Sequence, residues 1–204
     1  MQIYRSSSFY LYLALTLINL IFFRSITLFS IFTFFYLKYL YKKFKNRKRL
    51  SVLAAEFEQN LVYSPITGRI VFKSKSQHTH EIYIQHSFFE SSDICLPITG
   101  EVRSVSSYHK VFGGVKKAKQ GSFSYILELV SSDGTIVTMS MLNRTIIPNS
   151  ISIIKEQDQG NIGAVFGQIS WKGLIKINLP LNYIVNLKEG DKVVLGETPI
   201  ATWS

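Results

Sequence analysis

The sequence contains very little cysteine: among its 204 residues, the one thiol belongs to Cys95. A single cysteine excludes an internal disulfide, and it also excludes a zinc site built from cysteine ligands. A lone cysteine is more often a small buried apolar residue than a nucleophile. We therefore expect Cys95 to be buried and unreactive.

Acidic residues are absent from the first fifty positions. Residues 1–50 carry nine Lys and Arg and no Asp or Glu, a charge of +9, whereas the remaining fourteen basic and thirteen acidic residues sum to +1. The net charge of +10 therefore describes an N-terminal arm and not the rest of the chain. A nucleic-acid-binding domain carries its basic residues on its folded surface, so we expect no nucleic-acid partner.

The patterns of several common ligand sites are also missing. The glycine run of residues 160–167 lacks both the lysine of a phosphate loop and the spacing of a dinucleotide-binding fold. His78, His80 and His86 have no convergent carboxylate in the sequence, and histidines in a polar stretch are usually solvated. We expect no metal site and no nucleotide site.

Two long apolar runs occupy the N-terminal arm. Residues 6–23 carry no charge, and residues 25–41 carry Lys38 alone. A membrane-spanning helix needs about 20 apolar residues, with a range of about 17–25. We predict a transmembrane helical hairpin with spans of about 6–23 and 25–41, since one long helix would leave Arg24 in mid-bilayer at a cost of about 3 kcal/mol. One long, partly embedded helix is the alternative.

A basic segment, residues 42–49, follows the second run directly. Positive flanks remain on the cytoplasmic or matrix side, so we predict an integral protein of a bacterial or organellar inner membrane with its soluble domain on that side. Basic side chains near a membrane are also attracted to anionic phospholipid headgroups, by about 1 kcal/mol each. The predicted headgroup contacts are Lys42, Lys43, Lys45, Arg47, Lys48 and Arg49. Residues 51–60 then form a linker or a short helix.

From residue 61 the sequence changes to short β-rich runs separated by turns. The segment 64–70 (Ser-Pro-Ile-Thr-Gly-Arg-Ile) is echoed by 96–102 (Leu-Pro-Ile-Thr-Gly-Glu-Val). In such turns proline presets φ and glycine supplies a positive φ. Paired turns of this kind indicate similar hairpins that face each other. The sequence thus predicts an α+β, mainly β chain, in which the helical hairpin precedes a barrel- or sandwich-like β domain at residues 61–204.

The C-terminal part contains a dense set of strand and turn signals. Residues 167–180 read Gly-Gln-Ile-Ser-Trp-Lys-Gly-Leu-Ile-Lys-Ile-Asn-Leu-Pro, and their second half alternates as a half-buried strand does. Residues 188–201 read Lys-Glu-Gly-Asp-Lys-Val-Val-Leu-Gly-Glu-Thr-Pro-Ile-Ala, which predicts two strands separated by glycine turns. Asp133-Gly134, between two strand patterns, predicts the tip of a hairpin.

These segments, over about residues 60–203, resemble the phosphatidylserine decarboxylases, especially their short bacterial and archaeal forms. Those enzymes carry a strand ending in Phe-Gly-Ser, an alternating strand ending in Leu-Pro, and a Gly-Asp-Lys-Val…Gly-Glu-Thr…Ile-Ala hairpin. Their serine is the point at which the proenzyme cuts itself, and it becomes the pyruvoyl group that performs the decarboxylation. An aspartate and a histidine complete the self-cleavage set.

The resemblance fails at those three residues. Thr67 stands where the family has the aspartate of Ser-Pro-Ala-Asp-Gly, Ser92 stands where it has the histidine of its Asp-x-His-x segment, and Gly173 stands at the serine. His86 would need a six-residue shift to serve as that histidine. A hydroxyl is not a general acid or base near neutral pH, and glycine offers no side chain to convert. The resemblance therefore implies no catalytic residue and no cofactor.

We predict a membrane-anchored, catalytically inactive relative that acts as a scaffold, as a complex subunit or as a phospholipid-binding module. Its expected partners are membrane lipids, subunits of a membrane complex or a second copy of the chain. One alternative is an active, divergent decarboxylase, whose pyruvoyl group would come from Ser170 after cleavage behind Ile169. The other alternative is a lipoyl-like, barrel-sandwich adaptor module of a membrane complex.

Overall fold

The computed structural model describes residues 7–18, 29–41, 60–86, 90–108, 115–142, 150–151, 154–169 and 172–204, and this part of the chain is mainly β. Its strands are β1 (Leu61–Tyr63), β2 (Gly68–Lys75), β3 (Thr79–His86), β4 (Asp93–Cys95), β5 (Gly100–Ser107), β6 (Tyr125–Val130), β7 (Ile136–Leu142), β8 (Ser150–Ile151), β9 (Gln159–Gly160), β10 (Val165–Gln168), β11 (Leu174–Pro180), β12 (Tyr183–Ile184), β13 (Lys192–Val193) and β14 (Pro199–Trp203). Its helical segments are α1 (Ser7–Ile18), α2 (residues 29–41) and α3 (Val115–Lys119).

The largest sheet has eight strands in the order β13-β2-β3-β11-β7-β6-β5-β9, and its neighbouring strands are antiparallel. Strand β11 lies inside this sheet and alternates as its sequence predicts. Ile175, Ile177 and Leu179 enter the main hydrophobic core, whereas Lys176 and Asn178 lie on the other face because successive side chains of a strand point to opposite sides. Two three-stranded sheets, β1-β14-β12 and β4-β10-β8, contribute apolar side chains to the same core.

The two Pro-x-x-Gly turns lead into two matching strands, β2 and β5. Each strand has eight residues, and each contains a bulge that begins two residues after its glycine. A Cβ atom at Gly68 would collide with the carbonyl oxygen of Gln85, and a Cβ atom at Gly100 would collide with that of Val130. Neither glycine has a positive φ, so that expectation was wrong. Glycine is needed here because two backbones approach closely.

The repeat extends to a pair of turns that the sequence analysis did not match. Residues 155–158 and 188–191 both read Lys-Glu-x-Asp, and in each the aspartate carboxylate accepts a hydrogen bond from the lysine backbone N–H, at 2.8 and 2.7 Å. The third residue of each turn has a positive φ, 72° at Gln157 and 92° at Gly190. These two residues donate their backbone N–H groups to β5 and β2, at 2.7 and 2.8 Å. In the described part of the β domain, residues 61–204, the same turns and the same bulged strand thus occur twice.

The predicted membrane anchor is wrong. No helix in the part of the chain that the structure describes is long and apolar enough to cross a membrane. Within the described residues, α1 comprises 12 residues, fewer than the roughly 20 that a membrane-spanning helix needs. The predicted spans of about 6–23 and 25–41 and the integral membrane location are corrected accordingly. The basic segment, residues 42–49, and all but the last residue of the linker or short helix, residues 51–60, lie outside the described residues.

The predicted barrel-like form is also wrong. Within the described ranges, β13 and β9 stand at the two ends of the eight-stranded sheet and do not pair with each other. Each of them has two residues, and each follows one of the Lys-Glu-x-Asp turns. The physical reason is that such short edge strands offer too few backbone groups for a closing ladder of hydrogen bonds.

Helix α2 contacts both α1 and the β domain. The ring of Tyr12 in α1 stacks on that of Tyr36 at 4.3 Å between centroids, and the Tyr12 hydroxyl lies 3.2 Å from the hydroxyl of Thr33. The Tyr39 hydroxyl lies 3.1 Å from that of Ser92 in the β domain. Helix α3 covers part of the outer face of the large sheet. The smaller core there contains Tyr83, Ala118, Phe123, Leu142 and Leu174.

We predict that Gly68→Ala lowers the free energy of unfolding by about 2–3 kcal/mol, because the added methyl group meets a fixed backbone carbonyl. Gly134→Ala is the matched control: it has open space around its Cβ but a φ of +81°, which costs about 1 kcal/mol of backbone strain. Urea denaturation of both variants measures the difference. A loss for Gly68→Ala that is no larger than that of the control would contradict the close approach.

Candidate functional site

The three positions at which the resemblance places the self-cleavage residues lie around one end of β3, where His86 stands. The residue after Thr67 pairs with His86 across β2 and β3. His86 donates its backbone N–H to the carbonyl oxygen of Gly173 at 2.9 Å. Its Nε2 donates to the carbonyl oxygen of the residue before Ser92, at 3.1 Å. Positions far apart in the chain thus meet at one place in the fold.

The hydroxyl of Thr67 is part of the turn that carries it. It accepts a hydrogen bond from the backbone N–H of Leu195 at 3.1 Å. In the other half of the repeat, the hydroxyl of Thr99 accepts a hydrogen bond from the backbone N–H of Ile162 at 3.0 Å. Thr67 and Thr99 hold the same place in the two Pro-x-x-Gly turns. The side chain of Thr67 therefore has a structural role. Thr99 has the same role at a position where the resemblance places no catalytic residue.

Ser92 is buried and engaged at both of its oxygen atoms. Its hydroxyl lies 3.1 Å from the hydroxyl of Tyr39, and its carbonyl oxygen accepts a hydrogen bond from the backbone N–H of Ile169 at 2.7 Å. The latter bond continues the pairing of β4 with β10, in which Gln168 lies opposite Asp93. Ser92 therefore joins helix α2 and the segment after β10 to the loop before β4.

Gly173 contributes backbone alone at the position of the family's serine. Its carbonyl oxygen accepts the hydrogen bond from His86, and the residues that follow it form β11, which is paired with β3 on one side and with β7 on the other. Lys172, just before it, has a φ of 55°. Residues 170–171 lie outside the described part of the chain. The described backbone around position 173 is thus tied firmly into the sheet.

His86 is a buried titratable group beside the fully buried Asp93, whereas its sequence surroundings suggested a solvated side chain. A carbonyl oxygen can accept but cannot donate, so the Nε2 atom that faces Ser91 must carry the proton. Nδ1 is then an acceptor, and among the described residues it has no hydrogen-bond partner. A sequence signal was present: His86 lies on the same face of β3 as the buried Ile82 and Ile84.

Burial lowers the pKa of His86, and this effect outweighs the carbonyl groups of Ser91 and Glu90 and the charge of Glu90, which raise it. The imidazole is therefore neutral near pH 7. Next to it, the carboxylate of Asp93 accepts hydrogen bonds from the Ser91 hydroxyl at 3.0 Å and from the Gln168 amide at 3.4 Å. The hydroxyl of Ser91 thus points to a carboxylate and the imidazole to a carbonyl, which is not the arrangement of a nucleophile and its base.

The remaining candidates contribute no chemistry to this region. Cys95 is fully buried, with its Sγ 3.7 Å from the carbonyl oxygen of Ser64, and burial, followed by the charge of Asp93, raises the pKa of its thiol. His78 lies in an exposed turn, and His80 stands at the opposite end of β3 from His86. Within the described ranges, no group of three His, Cys, Asp or Glu residues comes together as metal ligands would. The basic residues proposed for headgroup contact (Lys42, Lys43, Lys45, Arg47, Lys48 and Arg49) lie outside these ranges.

Comparison of the chain with family models, with curated proteins and with solved structures finds no match. The likeness to the phosphatidylserine decarboxylases therefore stays a prediction, which depends on the residues quoted above and on their placement.

We predict that Thr67→Ala and Thr99→Ala both destabilise the chain, since each leaves a backbone N–H without its acceptor. We expect about 2 kcal/mol for Thr67, which is buried, and about 1 kcal/mol for Thr99, which is exposed. The matched controls Thr67→Ser and Thr99→Ser keep the hydroxyl and should restore most of the loss. Urea denaturation measures all four. If Thr67→Ala has the same free energy of unfolding as the wild type, the hydroxyl of Thr67 has no structural role.

We predict that the chain loses stability as the pH falls below about 6.5, the pKa of an unfolded histidine. The folded-state pKa of His86 is lowered, so below that pH the unfolded chain binds more protons than the folded one, and folding becomes less favourable. His86→Gln, which does not titrate, should flatten this dependence in thermal unfolding between pH 5 and 7. His80→Gln is the comparison: the pKa of His80 is also lowered, through burial and the nearby Lys75 and Lys73, but its side chain is only half-buried, so this variant should flatten the dependence less than His86→Gln. An equal slope for wild type and His86→Gln would contradict the assignment.

Proposed function

We propose that this chain is an uncleaved, catalytically inactive relative of the phosphatidylserine decarboxylases that works as a non-catalytic subunit of a protein complex. The observation that carries the proposal is the equivalence of Thr67 and Thr99. At the position of the family's aspartate, the side chain accepts a backbone N–H of its own turn, as its counterpart does in the other half of the repeat. In this proposal, a group that stabilises a turn stands where the family has a carboxylate that takes part in self-cleavage.

The other two positions support the same proposal. A general base must reach the proton that it removes, yet the Ser92 hydroxyl is held by Tyr39 from a helix outside the β domain. Attack on the preceding carbonyl requires a nucleophilic side chain, and Gly173 has none. A polypeptide with these groups keeps the β framework that the resemblance implies and lacks the means of making its own pyruvoyl group.

The active, divergent decarboxylase is the competing function, and one contact favours testing it. The backbone N–H of Ile169 bonds to the carbonyl oxygen of Ser92, so the residue that would lie directly before the cut is next to the family's histidine position. In that alternative Ser170 would be converted, and the chain would be cut after Ile169. Ser170→Ala would then abolish the cut.

The experiment is the intact mass of the full chain in denaturing conditions. We expect one species of 23.3 kDa, and no carbon dioxide released from phosphatidylserine. A C-terminal fragment with a pyruvoyl cap would contradict the proposal, and its loss in Ser170→Ala would establish the competing function.

A gain-of-function variant tests the relationship itself. We predict that the combined substitution Thr67→Asp, Ser92→His and Gly173→Ser gives some self-cleavage before position 173, since it returns an acid, a base and a nucleophile to the three positions that meet around His86. The matched control carries the first two changes with Gly173→Ala and should stay uncut. Mass spectrometry detects the fragments, and far-UV circular dichroism shows that the sheet has formed. A folded triple variant that stays intact would count against the relationship.

A further inference from the structure

Helix α2 carries a broad apolar face that no described part of the chain covers. Five of its six exposed large apolar side chains are Ile31 (46%), Phe34 (64%), Phe35 (55%), Leu37 (58%) and Tyr41 (69%), and the sixth, Phe29 (42%), stands at its first described residue, outside this face. These five residues are called the α2 stripe. At about 3.6 residues per turn, Ile31, Phe34, Phe35 and Tyr41 lie on one side of the helix, and Leu37 lies at its border. An amphipathic helix normally turns such a face toward a core.

The opposite side of α2 is already occupied. Tyr36 stacks on Tyr12 of α1, and Thr33 lies at hydrogen-bond distance from the same tyrosine. Tyr39 reaches Ser92 of the β domain. Three contacts to two different elements therefore fix the orientation of the helix, and they direct the α2 stripe away from the rest of the described chain.

The exposed area of the α2 stripe matches the size of a protein interface. Large aromatic side chains have about 150–250 Å² each to bury, and Ile31 and Leu37 have less, so these five residues at the exposures given expose roughly 500–600 Å² together. Two copies of the stripe in full contact would bury roughly 1,000–1,200 Å², which is at the lower bound of stable, specific interfaces. An apolar patch of this size is also at the upper end of what a monomer in water exposes.

The charges of the helix are compatible with self-association. Residues 29–41 carry one charged side chain, Lys38. In an antiparallel pairing about a two-fold axis near Phe34 and Phe35, the two Lys38 residues lie about 10 Å apart along the helix axis at about 1.5 Å per residue. Each ammonium can then extend past the aromatic rings to water while its stem covers apolar surface. Lys38 lies on the same side of α2 as the stripe, four residues after Phe34 and three before Tyr41. A two-fold interface requires a surface complementary to itself, and the apolar side chains around Lys38 meet that requirement.

We propose that the α2 stripe is the contact between two copies of this chain, which pair as a symmetric dimer. This inference rests on the proposed role as a subunit and names the partner. Phe34 and Phe35 lie at the centre of the contact, with the other residues of the stripe around them. Their two rings already meet edge to face, with centroids 6.0 Å apart, which keeps the central surface ordered before the second copy arrives.

The test is the native mass of the full chain in aqueous buffer by sedimentation equilibrium, which is separate from the denatured mass that tests the uncleaved state. We expect twice 23.3 kDa. Phe34→Glu should raise the dissociation constant at least about 100-fold, because it places a charge at the centre of the buried contact. The matched control is Ile184→Glu on β12, a side chain that is 53% exposed outside the stripe, and it should leave the constant unchanged.

A second variant tests the contact by linking the two copies covalently, so its result does not require the dimer to dissociate. Phe34→Cys should form a disulfide-linked dimer under mild oxidation, and Ile184→Cys should not. The native thiol gives no background because Cys95 is fully buried. A wild-type chain that is monomeric at every concentration, or a dimer that both glutamate variants leave intact, would overturn the proposal. A monomer that binds phosphatidylcholine vesicles, and loses that binding in Phe34→Glu, would also overturn it and assign the stripe to a lipid surface.

Discussion

The β domain depends on two places where backbones approach each other without an intervening Cβ atom. At Gly68 and Gly100, the carbonyl of the neighbouring strand takes the space that any other residue would fill. The approach allows β2 and β5 to pair from their first residue, and it places the preceding threonine hydroxyl within reach of a distant N–H group. The bulges, the Lys-Glu-x-Asp turns and the edge strands β13 and β9 then follow in the same order in both halves.

The same close approach of two backbones explains the structural role of Thr67, where the resemblance places a self-cleavage residue. In each Pro-x-x-Gly turn, a backbone N–H from a distant segment lies opposite the residue that precedes the glycine. The side chain of that residue accepts its hydrogen bond. Thr67 and Thr99 both do so. Around the end of β3, Ser92 and Gly173 have likewise become parts of the framework, and His86 is a buried neutral group within it. Structural use of all three positions supports the proposed loss of self-cleavage.

Sequence reasoning located the strands well and the close packing poorly. The alternation of β11, the hairpin tip at Gly134 and the matching Pro-x-x-Gly turns could be recognised because strand period and turn composition are local properties. The Lys-Glu-x-Asp pair was equally visible in the sequence but was not matched. The apolar runs at the N-terminus were interpreted by length and composition, and that prediction was wrong because the described helices are too short to span a bilayer.

The amino-acid sequence by itself determined that no internal disulfide can form and that Gly173 offers no side chain for conversion, because both are statements about which atoms exist. The tertiary structure decided which groups those atoms meet. Thr67 and Leu195 are 128 positions apart, and His86 joins Gly173 with Gly68 and Ser91, the neighbours of positions 67 and 92. Such partners are set by the register of strands from distant segments, and a register depends on the packing of the whole sheet.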